Sequence, residues 1–160
     1  MNNGRLKILD IWVDPVDMMQ ALDHVAEFVE NSNRLHTIFA SNPEKNFSIP
    51  EDVFLHEMFG RADLIVPDGI GVVLAARILH GAKISRVPGC ELMQKICELS
   101  ARKGYRIFLY GAREDINEKA FRMLSELYRG IRIVGRCNGY LPKDEMDGLI
   151  SRINDSGAQI

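Results

Sequence analysis

Three turns in this chain carry residue types that can act on a polar substrate, and each follows an apolar run. Asp68 lies in Pro67-Asp68-Gly69, directly after Leu64-Ile65-Val66. A carboxylate there projects from the end of a buried segment, where partial desolvation favours the work of a general base. Pro-Asp-Gly is equally a favoured turn sequence, with Asp bonding its own backbone and Gly taking positive φ. Gly111 opens Gly111-Ala112-Arg113-Glu114-Asp115 just ahead of a predicted helix. The free amides and dipole at such a helix start attract phosphate. The segment has neither the GxGxxG nor the GxxxxGK[ST] pattern, so no dinucleotide or P-loop motif stands behind it. The third turn is Ser41 to Lys45, broken by Pro43.

Two further residues have chemical potential. Arg86, in the loop Arg86-Val87-Pro88-Gly89, can clamp a diphosphate with a planar pair of donors, or it can be a solvated surface charge. Cys90 follows Gly89 at a predicted helix start, a setting that can make a thiol nucleophilic. None of the four histidines falls in a turn beside it: His24 and His56 lie in predicted helices, His80 at a helix end and His36 at the start of a strand. No Asp-x-Asp pair occurs, so nothing signals a divalent metal held for a sugar nucleotide.

The elements that must position these groups follow from hydrophobic spacing. Ile8 to Val13 is a short apolar run, and Asp14-Pro15 predicts an N-cap with Pro at the first helical position. Met18, Leu22, Val25 and Val29 then recur at three-to-four spacing as far as Asn31 to Asn33. His36 to Ala40 reads as a buried strand. Pro50 to Phe59 carries Val53, Phe54 and Met58 at helical spacing, and Leu64 to Val66 is a short apolar strand. Ile70 to Leu79 is apolar on nearly every side except Arg77, which predicts a helix buried between a sheet and a second layer, ended by Gly81. Cys90 to Arg102 is a helix with Leu92, Ile96 and Leu99 on one stripe, stopped by Lys103-Gly104. Arg106 to Tyr110 is a strand, Glu114 to Tyr128 a helix with Ile116, Ala120, Met123, Leu124 and Leu127 inside, and Ile131 to Val134 a strand. A last helix runs from Lys143 to Asn154, and Gly157 to Ile160 begins a further strand. Alternating strands and helices predict an α/β fold, a Rossmann-like sheet of mainly parallel strands with helices on both faces, with ligands beyond the C-terminal strand ends.

The composition narrows the function classes. The 160 residues are 46% hydrophobic and 26% charged, an ordinary balance for one globular domain and not for a disordered tail. A net charge of -2 provides no global field for a nucleic-acid backbone, so no nucleic-acid partner is expected. The longest apolar run, Ile70 to Ala76, falls far short of the ~20 residues a spanning helix needs, and Met1 to Lys7 lacks a signal-like apolar core. A cytoplasmic protein is expected. Three cysteines, Cys90, Cys97 and Cys137, with no CxxC spacing, point to reduced thiols, with Cys97 a small core residue.

Taken together, Ser41-Asn42-Pro43-Glu44, Ala62 to Val73 with its Pro67-Asp68-Gly69-Ile70-Gly71 block, Arg86-Val87-Pro88-Gly89, Phe108-Leu109-Tyr110-Gly111-Ala112, and Ile133 to Gly139-Tyr140 resemble the WecG/TagA/CpsF glycosyltransferase family in order and spacing. The resemblance runs over essentially the whole chain. It implies inverting, metal-independent transfer of a sugar, typically N-acetylmannosamine, from a UDP-sugar donor to an undecaprenyl-diphosphate-linked GlcNAc acceptor. The setting it implies is cell-wall or exopolysaccharide synthesis at the cytoplasmic membrane face, with no cofactor. By that resemblance Asp68 is the general base, Arg86 faces the diphosphate and stabilises departing UDP, and Asn42 with Gly69 lines the donor pocket. Gly111, Ala112 and Tyr140 belong to the UDP site, by phosphate-facing backbone and ring packing.

Two departures qualify the transfer. The family usually has Thr two residues before the Asn, where this chain has Ala40. Family members also continue with a strand, a Gly-x-Pro-x-Gln-Glu motif and a segment that aids membrane association. The expectation is therefore a single domain over 1–160 that is incomplete at its C-terminus, with peripheral membrane contact through the missing segment. Apolar surface left on the Ile70 to Leu79 helix and the open last strand admits a homo-oligomer. The competing expectations are a non-catalytic domain binding a nucleotide-sugar or a partner, and a thiol enzyme built on Cys90.

Overall fold

Proline and glycine punctuate this chain at the places where its strands end, and the observed elements follow that punctuation. The computed structural model describes residues 4–31 and 33–160. The chain divides into two compact units, Met1–Met93 and Gln94–Ile160.

The first unit begins with an antiparallel hairpin, β1 (Leu6–Ile8) and β2 (Ile11–Val13), in register Leu6↔Val13 to Ile8↔Ile11. Helix α1 (Met18–Asn31) follows. It starts later than the Asp14-Pro15 pair predicts. Asp17 and Gln20 form the reciprocal cap, each side chain accepting from the other's backbone N–H at 2.9 Å. Asp14 instead ties the hairpin inward: its carboxylate accepts from Arg5 Nε at 2.8 Å and from the Ile65 amide at 2.7 Å. Strand β3 (Ile38–Ser41) is mostly half-buried, not the fully buried strand expected over His36 to Ala40. Helix α2 (Pro43–Ser48), a 3-10 turn over Ile49–Glu51 and helix α3 (Val53–Arg61) lead to β4 (Leu64–Pro67), buried along its whole length. Strands β3 and β4 are parallel.

Helix α4 (Ile70–His80) ends at Gly81, whose φ of 64° gives the left-handed C-cap. Its expected burial on nearly every side is corrected. Val72 and Ala76 are buried, while Ile70, Leu74, Ile78 and Leu79 are exposed. The unit's core gathers Ile8, Ile11, Val13, Ile65, Val72 and Phe59, with the Phe39 and Phe59 rings stacked 4.5 Å apart. On α3 it is Phe59 that enters this core, and the predicted stripe of Val53, Phe54 and Met58 is exposed.

Helix α5 (Gly89–Lys103) carries the chain out of the first unit. In the second unit β5 (Arg106–Tyr110) and β6 (Arg132–Cys137) are parallel, with a register shift at Ile107/Phe108. The bulge brings Gly135 so near the Phe108 ring that a Cβ there would lie 2.6 Å from Cδ2. Helix α6 (Glu114–Leu127) joins the two strands, and a 3-10 turn over Lys143–Glu145 leads into α7 (Met146–Asp155). Cys97, Ile107 and Leu124 form the core with Leu109, Ile133 and Ile160 beside them. Burial of Cys97 matches expectation and pushes its thiol pKa up. The interior predicted for α6 is narrower than its spacing implies: Leu124 is buried, but Ile116, Met123 and Leu127 are exposed and Asn117 is buried in their stead. The final residues run along the free side of β5, Ile160 N–H donating to Arg106 O at 3.1 Å and Phe108 N–H to Ile160 O at 2.8 Å.

The α/β class therefore stands, with seven α-helices among the described residues. A continuous Rossmann-like sheet with helices on both faces is not what the pairing gives: the strands join two by two, two pairs parallel and the hairpin antiparallel. No helix among the described residues is long and apolar enough to cross a membrane.

Candidate active site

Strands β3 and β4 are short because a proline closes each one, and their parallel register sets both closures level. Ser41 pairs with Pro67. The turns that follow are tied together: the Asp68 amide donates to Ser41 O at 2.9 Å, and the Val87 amide donates to Pro67 O at 2.8 Å. Arg86 is held against the same turn, its Nε donating to the backbone O of Asp68 at 2.7 Å. The predicted residues Asn42, Asp68, Gly69 and Arg86 thus meet at one strand end.

Close approach of the turns demands glycine. A Cβ on Gly69 would lie 2.6 Å from Pro43 Cδ, and one on Gly71 would lie 2.6 Å from Pro43 Cγ. Gly89, at the start of α5, sits between Ala40 and Asp68. A Cβ there would lie 3.3 Å from the Ala40 methyl and 3.8 Å from Asp68 Oδ2. Position 40 therefore faces the same side as the Asp68 carboxylate.

The side chains differ in what they leave available. Asp68 is half-buried, and among the described residues its carboxylate has no hydrogen-bond or ion-pair partner. Arg86 is exposed, and with Nε engaged its two Nη nitrogens have no protein partner among the described residues. A free carboxylate on the Asp68 turn and a free pair of guanidinium donors on the loop bonded to it stand together without pairing with each other. Asn42 caps α2, its Oδ1 accepting from the Lys45 amide at 2.9 Å, so its NH2 is the part open to a ligand.

Sequence spacing did not single out the groups that brace this end. Lys45 Nζ donates to Ala40 O at 3.0 Å. The buried Ser41 hydroxyl donates to Asn46 Oδ1 at 2.5 Å, and Asn46 Nδ2 donates to Ile8 O at 3.0 Å. These bonds fix the end of β3 to the hairpin. An open groove of about 220 Å³, lined by residues including Trp12, His56 and Phe59, contains none of the predicted site residues.

In the second unit the Gly111 turn has two successive left-handed residues, Gly111 at φ 121° and Ala112 at φ 58°. It packs on the chain leaving β6. The Gly111 amide donates to Cys137 O at 3.0 Å, and the Gly139 amide donates to Ala112 O at 2.8 Å. Helix α6 starts here with Arg113 as the N-cap; its side chain makes no capping bond and pairs instead with Asp115, Nε donating to Oδ1 at 3.2 Å and Nη2 to Oδ2 at 3.1 Å. Glu114, its first residue, accepts from Arg136 Nη1 at 2.5 Å and from Asn138 Nδ2 at 3.2 Å. The Arg136 bond, with the Asn138 bond second, holds the Glu114 carboxyl below its ordinary pKa. Tyr140 is 75% exposed, and its amide donates to Asn138 Oδ1 at 2.9 Å. The structure thus joins Gly111, Ala112 and Gly139 closely and leaves the Tyr140 side chain in solvent. Cys90 is exposed on the first turn of α5.

Among the described residues no group of three His, Cys, Asp or Glu side chains is placed to hold a metal ion. The family model described as glycosyl transferase WecG/TagA/CpsF family matches residues 6–160 of the 160. That span takes in both turns of the β3 and β4 ends, Arg86, and the Gly111 turn, so the chain belongs to the WecG/TagA/CpsF glycosyltransferase family.

Proposed function

We propose that this glycosyltransferase moves an N-acetylhexosamine, of the N-acetylmannosamine type, from a UDP donor to an undecaprenyl-diphosphate-linked GlcNAc, with inversion and without a protein-held metal. One observation supports this above the others: the unpaired Asp68 carboxylate and the unengaged Nη donors of Arg86 are brought together by the Arg86 Nε bond to Asp68 O. In the proposed step the acceptor hydroxyl oxygen attacks the anomeric carbon and Asp68 takes its proton. The anomeric C–O bond to UDP breaks with its electron pair on the departing phosphate, and Arg86 balances that charge. The Asn42 NH2 faces the donor beside Gly69. The Gly111 turn, with Ala112 and Tyr140, is proposed separately as an element that contacts the nucleotide. A lipid-linked acceptor calls for a site at the membrane face, and the exposed Ile70, Leu74 and Ile78 stripe of α4 supports contact with lipid.

The test is acceptor-dependent release of UDP from a UDP-N-acetylhexosamine by the wild type and by Asp68→Asn. Removing a general base is expected to lower turnover by ~10²-fold or more with little change in UDP affinity. An Asp68→Asn variant as fast as the wild type contradicts the assignment. The second reading, a non-catalytic nucleotide-sugar binder, is favoured by Ala40, whose methyl stands on the Asp68 side where the family carries a hydroxyl. It predicts UDP binding with no acceptor-dependent release, and turnover appearing in Ala40→Thr.

A further inference from the structure

Asn117 is a polar residue at the N-terminal turn of α6, the fourth residue of the helix, and only 5% exposed. Its single NH2 group faces three backbone carbonyls: Gly111 O at 3.0 Å, Cys137 O at 3.0 Å and Leu109 O at 3.5 Å. Its Oδ1 accepts from Arg136 Nη1 at 3.3 Å, the same nitrogen that bonds Glu114. Those partners fix the orientation of the amide, because the nitrogen must face carbonyl oxygens and the oxygen must face a guanidinium. One side chain therefore joins the end of β5, the Gly111 turn and the end of β6.

We infer that Asn117 is a positioning residue that presents the Gly111 turn to a nucleoside diphosphate; this rests on the donor-binding reading of that turn. Three features carry it. The turn holds two successive left-handed residues, one of them the non-glycine Ala112, a conformation that persists only where the surroundings over-determine it. Gly111 O, bonded by Asn117, is in that turn. The opposing strand end is already in contact, since a Cβ on Gly139 would lie 3.1 Å from Gly111 Cα and 3.3 Å from the Ala112 nitrogen. An amide that donates to both sides holds this contact closed. Arg136, whose Nη1 donates to both Glu114 Oε1 and Asn117 Oδ1, orients the amide.

The decisive variant is Asn117→Asp, which keeps the volume and the Arg136 bond but presents acceptor oxygens to three carbonyls. Two readouts are taken at a temperature where circular dichroism shows the variant folded: hydrogen exchange at the Gly139 amide, which donates to Ala112 O, and the UDP dissociation constant in EDTA. Asn117→Asp is expected to exchange Gly139 at least tenfold faster and to bind UDP at least tenfold more weakly. Asn117→Ser, retaining one donor, is expected to fall between the two proteins and serves the same test if the aspartate variant does not fold. A residue that only supports the fold would lower the melting temperature and leave UDP affinity of the folded protein unchanged, and that result overturns the inference. Wild-type protein that binds no UDP overturns the donor reading together with it, whereas equal binding by wild type and Asn117→Asp overturns the positioning role alone.

Discussion

Replacing Gly69 by alanine should damage both stability and transfer. At φ -88° and ψ 142° the backbone of Gly69 is open to any residue, so the penalty is purely one of space. The added Cβ would lie 2.6 Å from Pro43 Cδ and 3.4 Å from Asn42 Cα. A proline ring cannot rotate away, so the 2.6 Å contact must open by roughly 0.8 Å to reach ordinary packing distance, and the backbone of one turn must move. Overpacking of this kind costs about 1 to 3 kcal/mol, which for a chain of this size lowers the melting temperature by roughly 2 to 12 °C. Because Asn42 and Asp68 flank the contact, a misplacement near 1 Å should also lower turnover by ~10²-fold. Calorimetry gives the first quantity and acceptor-dependent UDP release, measured well below the melting temperature, gives the second. Gly60→Ala is the control, since nothing lies within 4 Å of its added Cβ in α3, and it should be neutral or stabilising by up to ~1 kcal/mol. A Gly69→Ala protein with the melting temperature and turnover of the wild type would refute the close-turn account.

Other perturbations test the supports of the site. Asp14→Ala removes the acceptor of the Ile65 amide on a fully buried residue and of Arg5 Nε, and should cost about 1 to 3 kcal/mol in urea unfolding; a loss under 0.5 kcal/mol, roughly the noise of surface substitutions, would contradict the role of Asp14 as the tie between hairpin and β4. Asp63 supplies a pH dependence. Burial, the largest single influence, pushes its carboxyl up, but bonds from Arg34 and the Thr37 amide, with the charges of Arg34 and His36, together take it below its ordinary 3.8. Its folded pKa is thus depressed, so its contribution is present above about pH 4 and is lost as pH falls through the lower folded value. Urea midpoints between pH 7 and pH 3 should fall more steeply for the wild type than for Asp63→Asn, and parallel slopes would refute this.

Where chain chemistry and chain direction coincide, the sequence was readable. Pro43 and Pro67 mark the ends of β3 and β4, and the Asp68 and Asn42 turns fall at their C-terminal ends as expected. The hairpin was not readable, because Ile8 to Val13 looks like one apolar run and its turn uses Leu9 at φ 54° with no glycine signature. The start of α1 departs from expectation for a different reason. Asp14-Pro15 imitates an N-cap, while the Asp17 to Gln20 capping box three residues on was legible and decides the start. Helix α4 is less buried than its composition suggests, because an all-apolar helix does not require two covering layers. Asn117, Asn46 and Lys45 carry no signal in the sequence, because a polar residue on a helix reads as solvated and only tertiary placement of carbonyls gives it partners.

The most direct measurement of the central claim is calorimetric titration with UDP in EDTA, comparing the wild type with Arg86→Ala. Charge-assisted bonds of a guanidinium to a diphosphate are worth about 1.5 to 3 kcal/mol, so loss of the Arg86 donors should raise the dissociation constant by roughly 10- to 150-fold. Equal affinity in the two proteins would mean that the diphosphate does not sit at the Asp68 and Arg86 turn and would contradict the account.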